Sequence, residues 1–149
     1  MVCEFFDGTW EATMRIRDNY PIIVTGRKDE ARDFWQRFLG FRPVFDSSWF
    51  TLMTDEGSGS SIAFMTPDHP SAPPGPDAFA GTGACFELEV DDAAAAHAEL
   101  MGRGLAVTYP LTDEPFGQRR FGFADPSGLW IDVVEQIESE AGYWDRYMR

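Results

Sequence analysis

The stretch Arg119 to Glu135, RRFGFADPSGLWIDVVE, decides how the rest of the chain is read. Arg119 to Ala124 reads as a strand, with Phe121 and Phe123 in period 2. Asp125-Pro126-Ser127-Gly128 is a turn by its own chemistry. The Asp side chain can bond the backbone two residues on, Pro presets φ, and Gly tolerates positive φ. Leu129 to Glu135 returns as a second strand, with Leu129, Ile131 and Val133 on one face and Trp130, Asp132 and Val134 on the other. A carboxylate in an otherwise apolar strand must look into something polar or open, so Asp132 is the first functional candidate.

Working outward, Ala84 to Val90 alternates as a strand. Asp91 to Arg103 is an alanine-rich helix that Asp91 or Asp92 can cap and that Gly102 and Gly104 end. Leu105 to Tyr109 reads as a further strand, and Pro110 to Gln118 as a loop leading into the hairpin. The order is β-α-β-β-β. The same order stands upstream: a strand at Tyr20 to Thr25, a helix at Asp29 to Leu39 with an apolar stripe of Ala31, Phe34, Trp35 and Phe38, and strands at Phe41 to Asp46, Trp49 to Thr54 and Ser60 to Thr66. The separations Thr25 to Gly40 and Val90 to Gly104 differ by one residue, so the spacing repeats where residue identity does not. The predicted fold is α+β, with two tandem β-α-β-β-β modules at residues 20–66 and 84–136. The segment between them, residues 67–83, holds five prolines and three glycines and serves as a linker or as a loop over a cleft. Residues 1–19 form an N-terminal extension whose Cys3, Phe5, Phe6, Trp10 and Met14 are too apolar for a solvated tail. A short helix and an arm crossing onto a second subunit are both open. Residues 137–149 form a C-terminal tail, in which Tyr143, Trp144 and Tyr147 predict a short helix docked on the body or a partner. The two aromatic ends together predict a homodimer.

Composition bounds the function classes. The formal charge is −13, from 25 acidic and 12 basic residues, which argues against nucleic acid because phosphate contacts need a cationic surface. The same charge serves solubility and would attract cationic ligands. No run approaches the ~18 apolar residues that would span a bilayer, and no basic segment precedes an apolar one as in an export signal. Two cysteines, Cys3 and Cys85, make no disulfide scaffold, so a cytoplasmic setting without membrane partners is expected.

On RDFWQRFLGF (Arg32 to Phe41), EVDDAAAAHAELMGRGL (Glu89 to Leu105) and EPFGQRRFGFADPSGLWIDVVE (Glu114 to Glu135), the chain resembles the vicinal oxygen chelate superfamily, which includes glyoxalase I, extradiol dioxygenases and bleomycin-resistance proteins. The resemblance covers Tyr20 to Glu135. It implies that each module curls its sheet into half a barrel, with helices outside and a ligand cleft on the concave face, and that dimers are common. It also implies a lid at Phe116-Gly117-Gln118-Arg119. Metal-dependent members place one ligand on the first and last strand of each module. Those positions fall here on Tyr20, Ala63, Cys85 and Asp132. Ala63 has no donor atom, neutral Tyr and thiol are poor ligands unless deprotonated, and one carboxylate does not hold a catalytic divalent ion. No metal and no other cofactor is expected.

Alternation then predicts the cleft. Tyr20, Ile22 and Val24, Ser61, Ala63 and Met65, Cys85, Glu87 and Glu89, and Trp130 and Val134 with Asp132 face inward. Trp49, Thr51 and Met53 are placed with them, opposite Phe50 and Leu52. The ligand-binding candidates are Tyr20, Trp49, Ala63, Cys85, Glu87, Trp130 and Asp132. Aromatic faces beside carboxylates suit a planar or cationic small molecule, and Glu87 and Asp132 would supply the charge pairing. For Glu87 the competing role is an ion pair with Arg119 or Arg120 across the sheet. Cys85 is either a buried structural thiol or a nucleophile that neither histidine is placed to activate. His69 is a loop histidine or a general base at the cleft, and His97 an ordinary helix residue.

Three functions follow. The first is a metal-free binding protein in the style of the bleomycin-resistance branch, sequestering a cationic or aromatic compound. The second is an enzyme of glyoxalase or dioxygenase type (lyase, isomerase or oxygenase) with an atypical or absent metal site, using Asp132 as base and Tyr20 as proton donor or electrophile. The third is an association module acting through its aromatic ends.

Overall fold

The computed structural model describes residues 14–149. Its first module runs β1 (Ile22–Val24), α1 (Lys28–Leu39), β2 (Arg42–Asp46), β3 (Phe50–Thr54) and β4 (Ser61–Met65). The second runs β5 (Cys85–Glu89), α2 (Ala93–Gly102), β6 (Tyr109–Glu114), β7 (Gln118–Ala124) and β8 (Trp130–Gln136). Each module is a four-stranded mixed sheet, ordered β1-β4-β3-β2 and β5-β8-β7-β6. In each, the first strand lies parallel to the last and the others pair antiparallel. The two sheets thus share one topology, as their common spacing requires. The expected content of the N-terminal extension lies outside the described residues except for Met14 to Asn19, which is exposed and without regular structure.

The helices form for local reasons. Asp29 and Glu30 stand in the first turn of α1, where backbone N–H groups favour negative charge. Asp92 caps α2 by accepting the Ala95 N–H at 2.9 Å. Both helices lie on the convex side of the sheets, over one core that contains Ile62, Phe64, Phe121, Phe123, Ile131 and Val133. Trp35 joins the modules. It is fully buried, its ring centre lies 5.8 Å from Phe64 of the first sheet and 5.1 Å from Phe86 of the second, and its Nε1 donates to Asp125 Oδ2 at 2.8 Å. Burying an indole removes roughly 150–250 Å² from water, worth about 4–6 kcal/mol of transfer free energy. The other Asp125 oxygen closes the β7–β8 turn by accepting the Ser127 and Leu129 N–H groups at 2.8 and 3.1 Å.

Two expectations are corrected. Leu105 to Tyr109 is not a strand. Leu105 and Val107 pack into the core as extended chain, and the strand is β6 over residues 109–114, where a loop was expected. Pro110 stands at the register shift between Tyr109 and Thr112 on an edge strand, a place that tolerates a residue without an N–H. The second correction concerns β3. Leu52 pairs with Ala63 and Phe50 with Met65, so Phe50 and Leu52 share the concave face. Thr51 and Met53 are fully buried on the helix side, and Thr51 Oγ1 accepts from buried Lys28 Nζ at 3.0 Å. Trp49 precedes β3 and leaves the cleft to stack on His69, ring centres 4.3 Å apart.

Residues 67–83 carry no helix or strand and cross from one module to the other. The Phe79 N–H donates to Val24 O at 2.8 Å beside β1, and Gly81 packs under Gly128 of the β7–β8 turn. The C-terminal tail, where a short helix is expected, forms a single 3₁₀ turn at Tyr143–Arg146.

Candidate functional site

Cross-strand register builds the site on the concave face of the second sheet. β5 and β8 pair Cys85 with Trp130, Glu87 with Asp132 and Glu89 with Val134, so these six side chains stand side by side on one face. β7 adds Gln118, Arg120 and Gly122, opposite Gln136, Val134 and Asp132. Phe86, Leu88, Ile131 and Val133 point the other way, into the core.

Trp130 and Asp132 form a fixed pair. The Trp130 Nε1 donates to Asp132 Oδ1 at 2.6 Å, which draws the indole across Gly122. A Cβ at Gly122 would lie 2.3 Å from the Trp130 ring, so only glycine admits the ring there. Arg120 completes the array. Its Nη1 donates to Asp132 Oδ2 at 3.2 Å and its Nε to Glu114 Oε1 at 3.1 Å. The Tyr109 hydroxyl donates to the same Glu114 oxygen. The Arg120 guanidinium lies 5.2 Å from the Phe116 ring centre and 5.5 Å from that of Tyr109. Burial opposes its charge, and the Glu114 and Asp132 carboxylates outweigh that, so its pKa is raised. Glu114 is held below its ordinary range by the Tyr109 hydroxyl first and then by Arg120.

The array changes the role foreseen for Asp132, because its charge is already met by Arg120 and its other oxygen by Trp130. Among the described residues, the carboxylates on this face without a cation are Glu87 and Glu89. Glu87 pairs with neither arginine. It accepts from the Gln118 amide at 3.3 Å, and Glu89 from the Gln136 amide at 3.2 Å. Arg119 turns to the opposite face, to Asp113 at 2.6 Å and Glu135 at 3.7 Å. Past Glu87 and Glu89 the face runs into a groove of 790 Å³, walled by Phe116, Ile137, Trp144 and Met148.

The remaining candidates lie elsewhere. Cys85 is an exposed free thiol at the edge of the face, not a buried one. His97 packs edge-on against Phe121 on the helix side, away from Cys85. Tyr20 stands before β1 and Ala63 is buried on β4, so both belong to the first sheet, and the groove contains neither. The concave face of that sheet is apolar, with Tyr20, Ile22 and Phe45 exposed on it. The four family metal positions do not fit a cation: Ala63 lacks a donor, and both Asp132 oxygens are engaged. Among the described residues no three His, Cys, Asp or Glu side chains group as ligands. Sequence reasoning offered Arg120 only as a partner for Glu87, and it missed Glu114 and Tyr109. Counting alternation back from Asp132 through its partner Gly122 reaches Arg120. The misplaced second strand of the module hid the other two.

Known proteins compare as follows. The family model described as the Glyoxalase/Bleomycin resistance protein/Dioxygenase superfamily matches residues 17–133. No curated protein matches the chain. An antibiotic-binding protein from Streptomyces sp. CB03234 is 25% identical, with 83% of this chain and 98% of that one aligned at a TM-score of 0.63. A member of the same superfamily from Sphaerobacter thermophilus is 28% identical, over 81% of this chain and 98% of its own, also at 0.63. A glyoxalase/bleomycin resistance protein/dioxygenase from Nocardioides, 18% identical, shares the fold over 88% of this chain and 91% of its own at 0.69.

Proposed function

Since the chain belongs to the glyoxalase/bleomycin resistance protein/dioxygenase superfamily, we propose that it binds and sequesters a cationic or aromatic small molecule on the concave face of its second module. The observation that carries this reading is the Trp130–Asp132–Arg120 array. An indole held flat over Gly122 and fixed at its N–H is a preorganised stacking surface, which lowers the ordering cost of binding. The antibiotic-binding protein from Streptomyces, similar over nearly its whole length, supports a binding role. So does a donor set that does not fit a catalytic metal. A ligand held this way is removed from solution by mass action, with no bond broken.

A second copy of the chain would close the cleft. The first module offers an apolar concave face with Tyr20, Ile22 and Phe45 exposed, and the second offers a polar one with Cys85, Glu87 and Glu89 exposed. Placed face to face in a homodimer, they would enclose a ligand between an apolar and a hydrogen-bonding wall.

A thermal-shift screen with planar aromatics and basic glycopeptides tests the reading. A ligand at 100 times its Kd stabilises the folded state by about 2.7 kcal/mol, which the melting temperature reports. Trp130→Ala is expected to weaken a planar ligand about tenfold or more. Undiminished affinity in that variant would remove the array from the site.

A further inference from the structure

Glu87 and Glu89 differ from every other carboxylate on their sheet face. Asp132 and Glu114 share Arg120. Glu87 and Glu89 sit at alternate positions of β5, roughly 7 Å apart along the strand, and each is bonded by a neutral amide, Gln118 from β7 and Gln136 from β8. An amide fixes the carboxylate's direction and leaves its charge uncompensated. Among the described residues no Lys, Arg or His nitrogen lies within 4.0 Å of either one.

The groove beside them has a built wall. Trp144 Nε1 donates to Phe116 O at 2.9 Å, the Glu140 N–H to Pro115 O at 2.9 Å and the Ile137 N–H to Gly117 O at 2.9 Å, so the C-terminal turn is stitched to the β6–β7 turn. Gly117 has a φ of 105°, and a Cβ there would lie 2.9 Å from Ile137 O, so the close seat needs glycine. The wall is aromatic and thioether in character, through Phe116, Trp144 and Met148, and at 790 Å³ the groove is of small-molecule size. Two uncompensated carboxylates over an aromatic wall attract a cation by charge and by the ring quadrupole together.

We infer that this groove is an ammonium subsite: it takes a protonated or quaternary amine on an apolar carrier, the nitrogen between Glu87 and Glu89 and the carrier against Phe116, Trp144 and Met148. The inference rests on the small-molecule-binding reading and assigns the cation to a place separate from the Trp130 array. A carboxylate or phosphate ligand is excluded from the groove by the same charges.

The experiment titrates benzyltrimethylammonium, and separately neutral benzyl alcohol, into the full chain by calorimetry. The ammonium binds saturably and the alcohol at least about tenfold more weakly. Glu87→Gln with Glu89→Gln abolishes the preference for the ammonium without altering the circular dichroism spectrum, and Trp144→Phe, which keeps an aromatic ring, retains it. No saturable ammonium binding, equal affinity for the alcohol, or an unchanged preference in the double variant each overturns the subsite. If uncharged planar aromatics still raise the melting temperature in that event, the binding reading stands and only the subsite falls.

Discussion

Adding one methyl group at Gly122 is the smallest change that addresses the Trp130 array. Gly122→Ala places a carbon where the indole lies, so the ring must swing off Asp132 or the strands must part. The expected loss is about 1–3 kcal/mol, read from urea unfolding, with planar-ligand affinity falling alongside. A variant of unchanged stability and affinity would mean that the ring has another seat. Two carboxyl groups predict the acid limb of stability. Glu114 is lowered from an ordinary value of 4.5 by the Tyr109 hydroxyl and then Arg120. Asp46 is lowered from 3.8 by the Thr51 hydroxyl, then by Arg32 and Lys28. A carboxyl lowered in the folded state adds stability above its ordinary value, and that share is lost as pH falls through the lowered one. The melting temperature should therefore drop as pH falls below 4.5, and Tyr109→Phe with Thr51→Val should flatten the drop. A slope identical in variant and parent would show that these hydroxyls do not set it.

At the scale of elements, α1 is the member that both modules share. Trp35→Phe leaves a void in the core and takes from Asp125 Oδ2 the only donor it has among the described residues. About 2–4 kcal/mol should be lost, in one cooperative transition. Two separated transitions would instead mean that the modules fold independently. Much of this architecture was legible in the chain. Period 2 placed Trp130 and Asp132 on the cleft face and Ile131 and Val133 on the opposite one, where their partners Phe123 and Phe121 also lie. The stripe of Ala31 and Trp35 announced the buried side of α1, and equal spacing announced two like modules. β6 was not legible, because Pro110 and the acidic pair Asp113 and Glu114 are residues that strands avoid, and only an edge position with a bulge accepts them. The faces of β3 were inverted for a related reason. Alternation gives two sets of residues but does not say which looks inward, and the register of Leu52 with Ala63 settles that. The bridging role of Arg120 went unseen because its partners sit on two other strands.

For the whole molecule, the contrast between the concave faces predicts assembly. Phe45 is 55% exposed on the apolar face of the first module. In sedimentation the protein should run as a dimer, and Phe45→Glu should shift it to monomer with its secondary structure intact. A monomeric parent would leave the cleft open on one side and would count against enclosure. The charge of −13 adds a salt effect. Association of cationic ligands should slow as ionic strength rises, while that of neutral ones should not.

The prolines of residues 67–83 stand outside the shared core, and Trp35 and Asp125 clasp each other across it without help from the peptide between them. A protease that nicks the chain near Pro74 should therefore release nothing: the fragments co-elute on a native column and part only in denaturant. The same logic allows the halves to be expressed from separate genes and to find each other in the cell, so that the covalent bond between modules is a convenience of synthesis and the indole at their seam is the true joint.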